Sequence, residues 1–528
     1  MENGNAVNLP NIKMNVASLL DHYRRCGIHL YAKNGELGYR TAKGAMTEEI
    51  MSTIRTRKSD ILHHLAYLEE SRFHVTATSA NRALLFNRFL WKYYSNRVME
   101  VSSANAPHIV MRCTGEILTE PLLRSIDILL ERHEVLSSSI DIDGGNLYLV
   151  YHSEKSVAFR EVTVTVAGKT TQEREDEAHH IANNLVWEEY DLDKGPLYRV
   201  FLIRLSAVDY ILGVALHHAI GDLISIGILL QELFHVYGSI MNGTMLRVTP
   251  TRIRYVDYLA SMESWSTRPS CIKHIQYWKD LLKSTPVTDL LPKGNRFQRG
   301  TVSESTAEMK LRLTARTSRG LKEMAVRLKT TLFTVLLAIY KTAIWRMNGQ
   351  EELVVVALHA GRFNAGFQNI IGDFALEVAY KTCLAGNPSF TEVVGCVVRA
   401  MNEANLHQPV PLDWVRSALA EDDILFSAPG INFTTGDAYE PRNPLGPRQL
   451  SLPPPGVRHG CHGFPVSCAI EFRDGARKIE GSMVYRKDLY DKAAIGAFLN
   501  CFTKTASDAI RFPERKLDAV GRFQEKRR

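Results

Sequence analysis

The apolar positions of this chain change period several times, and each change marks an element. From Met14 to about Cys26 the residues Val16, Leu19, Leu20 and Tyr23 recur at helical spacing. Two short strand-like runs follow, Gly27–Ala32 and Glu36–Arg40, joined by Lys33-Asn34-Gly35. Asn-Gly between such runs is a strong hairpin signal, because both turn residues accept positive φ. Thr47 is placed to cap a second helix, with Glu48 and Glu49 in its first turn and Ile50, Ile54, Ile61, Leu62 and Leu65 as its apolar face. This is a small α-β-β-α unit over residues 13–69.

Beyond a charged connector around Glu69–Arg72 the pattern alternates to the end. Strands are predicted at 108–113, 146–151, 198–205, 210–216, 352–358 and 466–472, and helices at 119–133, 174–188, 224–237, 319–327 and 331–347. Such alternation predicts an α/β (α+β) protein. Residues 441–456 hold six prolines and predict an irregular or extended surface crossing. Residues 211–233 form the longest apolar stretch, but His217, His218 and Asp222 interrupt it. It predicts a buried strand followed by a helix, not a membrane span.

Composition adds bounds. The chain has 528 residues, 45% hydrophobic and 23% charged, as in globular proteins, and its length suggests about three folding units. The net charge of +7 is mild and spread out, so it suits an acidic or phosphate-bearing partner without pointing to nucleic acid. Eight cysteines contain no Cys-x-x-Cys pair. Zinc and redox-motif chemistry therefore have no support, and reduced thiols in the cytoplasm are the simplest expectation. The N-terminus shows no secretory signal.

The candidate chemistry sits where the predicted strand 210–216 ends, in His217-His218-Ala219-Ile220-Gly221-Asp222. Strand alternation predicts that one imidazole faces a cleft and its neighbour the opposite way. Histidine is the side chain best suited to move a proton near neutral pH. A His-His pair among 18 histidines is also what chance supplies, so the surroundings must decide.

Those surroundings resemble the condensation domains of nonribosomal peptide synthetases. The family's His-His-x-x-x-Asp-Gly core matches at His217, His218 and Asp222. Glu131–Leu136 is similar to its Arg-His-Glu segment, and Tyr190–Arg199 to its Gly-Pro-Leu lead-in. Tyr255–Tyr258, Tyr277-Trp278, Ala360-Gly361-Arg362, Ile371–Phe374 and Tyr485–Tyr490 follow in the family's order. The resemblance covers about 74–515. Residues 14–68 are similar to the TubC-like docking domains, whose exposed hairpin grips an acidic tail on an upstream carrier protein. The hairpin's Lys33, Arg40 and Lys43 suit that role, which the exposed edge of a hairpin also permits.

The resemblance implies two chloramphenicol-acetyltransferase-like lobes forming a V-shaped pseudo-dimer, over 74–260 and 261–515, with the histidine core inside a tunnel. It implies a freestanding enzyme with no cofactor of its own. The enzyme would take an acyl chain from the phosphopantetheine arm of an acyl or peptidyl carrier protein with an acidic C-terminal tail. It would pass that chain to a hydroxyl or amine of a small or carrier-bound acceptor, without membrane or nucleic acid. His218 would be catalytic. His217, Asp222, Gly221 and Arg362 would support it, Asp222 being held by a buried arginine with Arg362 the candidate. Departures are Leu223 for the glycine after the core aspartate, which flanks the donor channel, and Phe374-Ala375-Leu376-Glu377 for Phe-Val-Asn-Thr. An epimerase shares the histidine core but fits the docking hairpin less well, and a heterocyclase would replace the pair with aspartate. A recruitment platform and an acyltransferase using acyl-coenzyme A are the alternatives.

Overall fold

The computed structural model describes residues 16, 19–20, 23, 28–33, 36–41, 46–62, 65, 82–85, 107–143, 146–164, 170–244, 251, 253–285, 287–291, 306–362, 365–407, 410–422, 424, 428–435, 448–450, 468–474, 478–487 and 489–521. The chain divides into two compact units, residues 1–74 with 402–409, and residues 75–401 with 410–528.

In the first unit, β1 (Ile28–Lys33) and β2 (Glu36–Thr41) pair antiparallel, with Lys33 opposite Glu36, so two residues connect the strands. Thr47 caps the helix Glu48–Thr56, its Oγ1 accepting from the Ile50 N–H at 3.2 Å. Leu19, Tyr23, Ile28, Ile50, Ile54 and Ile61 form the core. Of the periodic positions read from the sequence, Leu19, Tyr23, Ile50, Ile54 and Ile61 are buried, and Val16, Leu20 and Leu65 pack against them partly buried. Burial on one face is what holds a helix and hairpin of this size together.

In the second unit, the described strands form three sheets. β3 (Arg82–Leu84), β6 (Asn146–Tyr151) and β5 (Ser138–Asp143) make a small one in that order. A second runs β14 (Arg448–Leu450), β4 (His108–Thr114), β9 (Asp209–Leu216), β8 (Tyr198–Ser206), β7 (Phe159–Thr163). The third runs β10 (Thr306–Arg312), β16 (Ile479–Arg486), β15 (Cys468–Asp474), β13 (Gly430–Thr435), β11 (Glu352–His359), β12 (Leu376–Cys383). The proline-rich stretch contributes β14, which crosses over to pair antiparallel with β4. The helix Tyr255–Ser266 runs through the boundary expected at 260/261.

β9 is the middle strand of its sheet, and Tyr210 to Leu216 are all buried. A strand covered on both faces needs a continuous apolar run, not alternation. The helix Thr171–Trp187 covers one face through Ala178, Ala182, Leu185 and Val186, packed with Phe201, Ile203 and Ile211. It opens on a reciprocal cap: Thr170 N–H donates to Glu173 Oε2 at 2.7 Å, and Glu173 N–H to Thr170 Oγ1 at 3.2 Å. The helix Leu223–Met241 is long and apolar enough to cross a membrane, but Ile226, Leu229, Leu230 and Leu233 are buried within this unit as core. The described cysteines, Cys113, Cys271, Cys383, Cys396 and Cys501, are free.

Candidate functional site

β9 stops at Leu216, and a short turn of 3-10 helix, His218–Ile220, leads to the helix Leu223–Met241. The two histidines therefore diverge through a turn, not through the strand pleat the sequence suggested. Backbone ties fix that turn: His217 N–H donates to the Leu197 carbonyl at 2.7 Å, and Ile220 N–H to the His217 carbonyl at 3.0 Å.

His217 points inward. It is 3% exposed, and its ring meets Tyr190 edge-on at 5.7 Å. Nδ1 accepts from Ala219 N–H at 3.2 Å, which puts the proton of the neutral ring on Nε2. Burial, with the neighbouring His218 adding to it, pushes His217 down to about 3. Tyr190 in turn lies under the Arg199 guanidinium at 4.6 Å. Arg199 donates to the carbonyls of Leu185, at 2.6 Å, and of Glu188, where the helix Thr171–Trp187 ends. The lead-in motif thus props up the inward histidine.

His218 is one-third exposed, but its Nδ1 is sealed from solvent and lies 3.3 Å from Asp373 Oδ2, off the axis of a well-aligned hydrogen bond. Burial opposes charge on this ring. The Asp373 carboxylate outweighs it, Asp222 adds to the effect, and His218 is raised to about 9.

Asp222 caps the helix Leu223–Met241, its Oδ1 accepting from Ser225 N–H at 2.7 Å. The same carboxylate takes Arg362 Nη2–H at 3.0 and 3.3 Å, and Phe374 N–H at 3.2 Å. Arg362 Nη1 donates to the carbonyls of Phe367 and Ile370 at 2.6 and 2.7 Å. Ser225 Oγ lies within 2.9 Å of Arg362 Nη2 and 2.7 Å of the Gly372 carbonyl. Charges buried this deeply persist only when paired and hydrogen-bonded; here both carboxylate oxygens and both terminal guanidinium nitrogens have partners, while Arg362 Nε has none.

Gly361 makes the approach possible. Its φ is +65°, and a Cβ there would lie 1.6 Å from the Phe374 carbonyl oxygen. Gly221 has extended backbone, and a side chain would strike the Leu216 methyl at 2.5 Å, so its demand is local room. Leu223 is the first residue of its helix and half-buried. Glu377 pairs with Arg416, yet burial pushes its carboxyl up to about 7.

In the first unit Arg40 is exposed and stands 5.8 Å from the Tyr31 ring, with Tyr31 and Tyr39 also exposed. The side chain of Lys33 and all of Lys43 lie outside the described residues. Among the described residues no three His, Cys, Asp or Glu side chains converge as a metal site.

Sequence reasoning missed Ser225 and Asp373. Ser225 had a signal, lying three residues after a capping aspartate. Asp373 had a weaker one: an acid set among Ile370, Ile371 and Phe374 must have a partner.

The condensation domain family matches residues 92–527. The chain belongs to that family. The TubC N-terminal docking domain matches residues 16–66. The condensation domain here is similar to a linear gramicidin synthase component of Brevibacillus parabrevis, 28% identical over 61% of this chain and 6% of that protein. It is also similar to the chondramide synthase of Chondromyces crocatus, 25% identical over 72% of this chain and 10% of that protein. The chain thus spans a small part of these relatives. Among solved structures, the X-domain from teicoplanin biosynthesis matches with a TM-score of 0.69 at 22% identity, covering 84% of this chain and 98% of that one. The structure titled for condensation domain-mediated chain release from the enacyloxin polyketide synthase matches with a TM-score of 0.63 at 20% identity, covering 95% and 98%. The fold is the chloramphenicol-acetyltransferase-like fold of condensation domains.

Proposed function

We propose that this chain transfers an acyl group from a carrier protein's phosphopantetheine thioester to a hydroxyl or amine, forming an ester or amide and releasing the chain. The observation that carries the reading is His218, a partly exposed imidazole held against a buried carboxylate beside the Asp222–Arg362 pair. A thioester is already activated, so alignment of the two reactants supplies much of the rate. His218 orients the nucleophile or takes its proton as the new C–O or C–N bond forms and the C–S bond breaks. The proton then passes to the departing thiolate. The step needs no cofactor beyond the carrier's phosphopantetheine arm.

The lobes 74–260 and 261–515 each supply one side of the site under this reading, and Leu223 narrows the donor channel. The hairpin of the first unit, with Lys33, Arg40 and Lys43, receives an acidic tail of the carrier, in a cytoplasmic setting. The likeness to the enacyloxin chain-release structure supports release of the chain. A second reading, recruitment without chemistry, is favoured by another structural neighbour, a complex of the X-domain and OxyB from teicoplanin biosynthesis.

The test is intact-protein mass spectrometry of acyl-loaded carrier, with and without an acidic tail, in a pool of small amines and alcohols. Acyl loss that needs both the tail and His218 supports the proposal. Tail binding with no acyl loss above the enzyme-free rate, from carrier or from acyl-coenzyme A, supports recruitment. Turnover of acyl-coenzyme A alone supports a free-thioester acyltransferase.

A further inference from the structure

The carboxylate nearest His218 is not part of the histidine motif. Asp373 is supplied by the loop between β11 and β12, and its side chain is 5% exposed. Its backbone neighbours are bolted to the network that caps the histidine turn. Gly372 N–H donates to Ser225 Oγ at 3.1 Å, Phe374 N–H donates to Asp222 at 3.2 Å, and Tyr255 O–H donates to the Asp373 carbonyl at 3.1 Å. The carboxylate therefore has little freedom to leave the ring. Arg362, the nearby cation, is committed to Asp222 and two carbonyls. Among the described residues, other groups facing His218 and Asp373 include Asp222, whose carboxylate adds to the charge on His218, His217, kept neutral by burial, and the Tyr255 and Tyr258 phenols, whose ionisation burial suppresses.

We infer that Asp373 is the positioning residue of His218, holding the imidazole by Nδ1 so that Nε2 is the nitrogen presented to the nucleophile. This rests on the acyl-transfer reading of His218. Nδ1 is sealed from solvent, so the exposed third of the side chain belongs to the rest of the ring. The carboxylate beside Nδ1, together with the ring's own backbone, favours the neutral tautomer protonated there, and it stabilises the imidazolium formed when Nε2 accepts the nucleophile's proton. The same attraction has a consequence for rate. His218 rests largely protonated at neutral pH, so turnover rises with pH as the ring loses its proton.

The experiment tracks the histidine Cε1 resonances of the full chain by NMR across pH, with His218→Gln assigning the signal, in wild type and Asp373→Asn. His218 is expected to titrate near 9 in wild type and to fall towards the ordinary imidazole value of about 6.5 in Asp373→Asn. The acidic limb of kcat/KM for carrier deacylation should move down by the same interval, with KM nearly unchanged. A merely structural role would move neither limb nor titration. Wild-type His218 titrating at or below about 6.5 overturns the inference, and this outcome needs no variant to fold. An unmoved titration and limb in folded Asp373→Asn overturns it too. If no carrier is deacylated at all, the transfer reading fails while the titration still decides the pair.

Discussion

The site joins two stretches built in opposite ways. Residues 216–225 arrive on the end of a central, fully covered strand and leave as a capped helix, so their positions are set by the sheet. Residues 360–362 and 365–374 reach the site past a left-handed glycine, Gly361, and are held by hydrogen bonds to the first stretch. The first stretch carries the groups that titrate. The second carries Arg362, which pairs with Asp222, and Asp373, whose carboxylate raises His218. His217 and His218 make the point: adjacent in the chain, they are driven to about 3 and about 9, because burial governs the first while the Asp373 carboxylate outweighs it at the second. The lesson is that the histidine motif alone does not define the chemistry of this site.

Breaking the first stretch at its reactive group has the largest expected effect. His218→Ala should lower carrier deacylation by about a hundred- to ten-thousand-fold; it also leaves Asp373 buried without its partner, so the unfolding transition should fall at neutral pH. Breaking the second stretch comes next. Arg362→Ala leaves Asp222 buried without its cation and should cost about 3–5 kcal/mol in denaturant unfolding, while Arg362→Ala with Asp222→Ala should cost less than the sum. Ser225→Ala removes a hydroxyl that both stretches share, for about 1–3 kcal/mol by the same measurement.

The pH dependence of unfolding sharpens the contrast further. His217 is lower in the fold than its ordinary value of about 6.5, so the unfolded chain binds the extra proton and stability falls as pH drops from about 6.5 towards 3. His218 is raised, so its contribution is full below about 6.5 and is lost as pH rises through about 9. His217→Asn, whose side-chain oxygen can still accept from Ala219, should flatten the acid side alone. The smallest effect lies outside both stretches. Arg40→Glu should weaken binding of a labelled acidic peptide a few-fold, more at low salt, without changing transfer at saturating carrier.

Much of this was legible in the sequence because it is local. The run Tyr210–Leu216 and the Thr47 cap each state their role within a few residues. β5 was not legible, because its burial runs buried over three residues and then exposed over three, with no alternation to read. β14 was not, because three residues are held only by pairing with the distant β4. Asp222–Arg362 could be named only through the family resemblance, and His218–Asp373 not even so. Pairing across the chain leaves no local period.

The central claim is that His218 drives acyl transfer from a carrier thioester. Its most direct test is the single-turnover decay of an acyl-loaded, tail-bearing carrier with a nucleophile pool, comparing wild type, His218→Ala and no enzyme. The account predicts rapid decay into an ester or amide with wild type, and decay near the uncatalysed rate with folded His218→Ala. Equal decay with both proteins would contradict it.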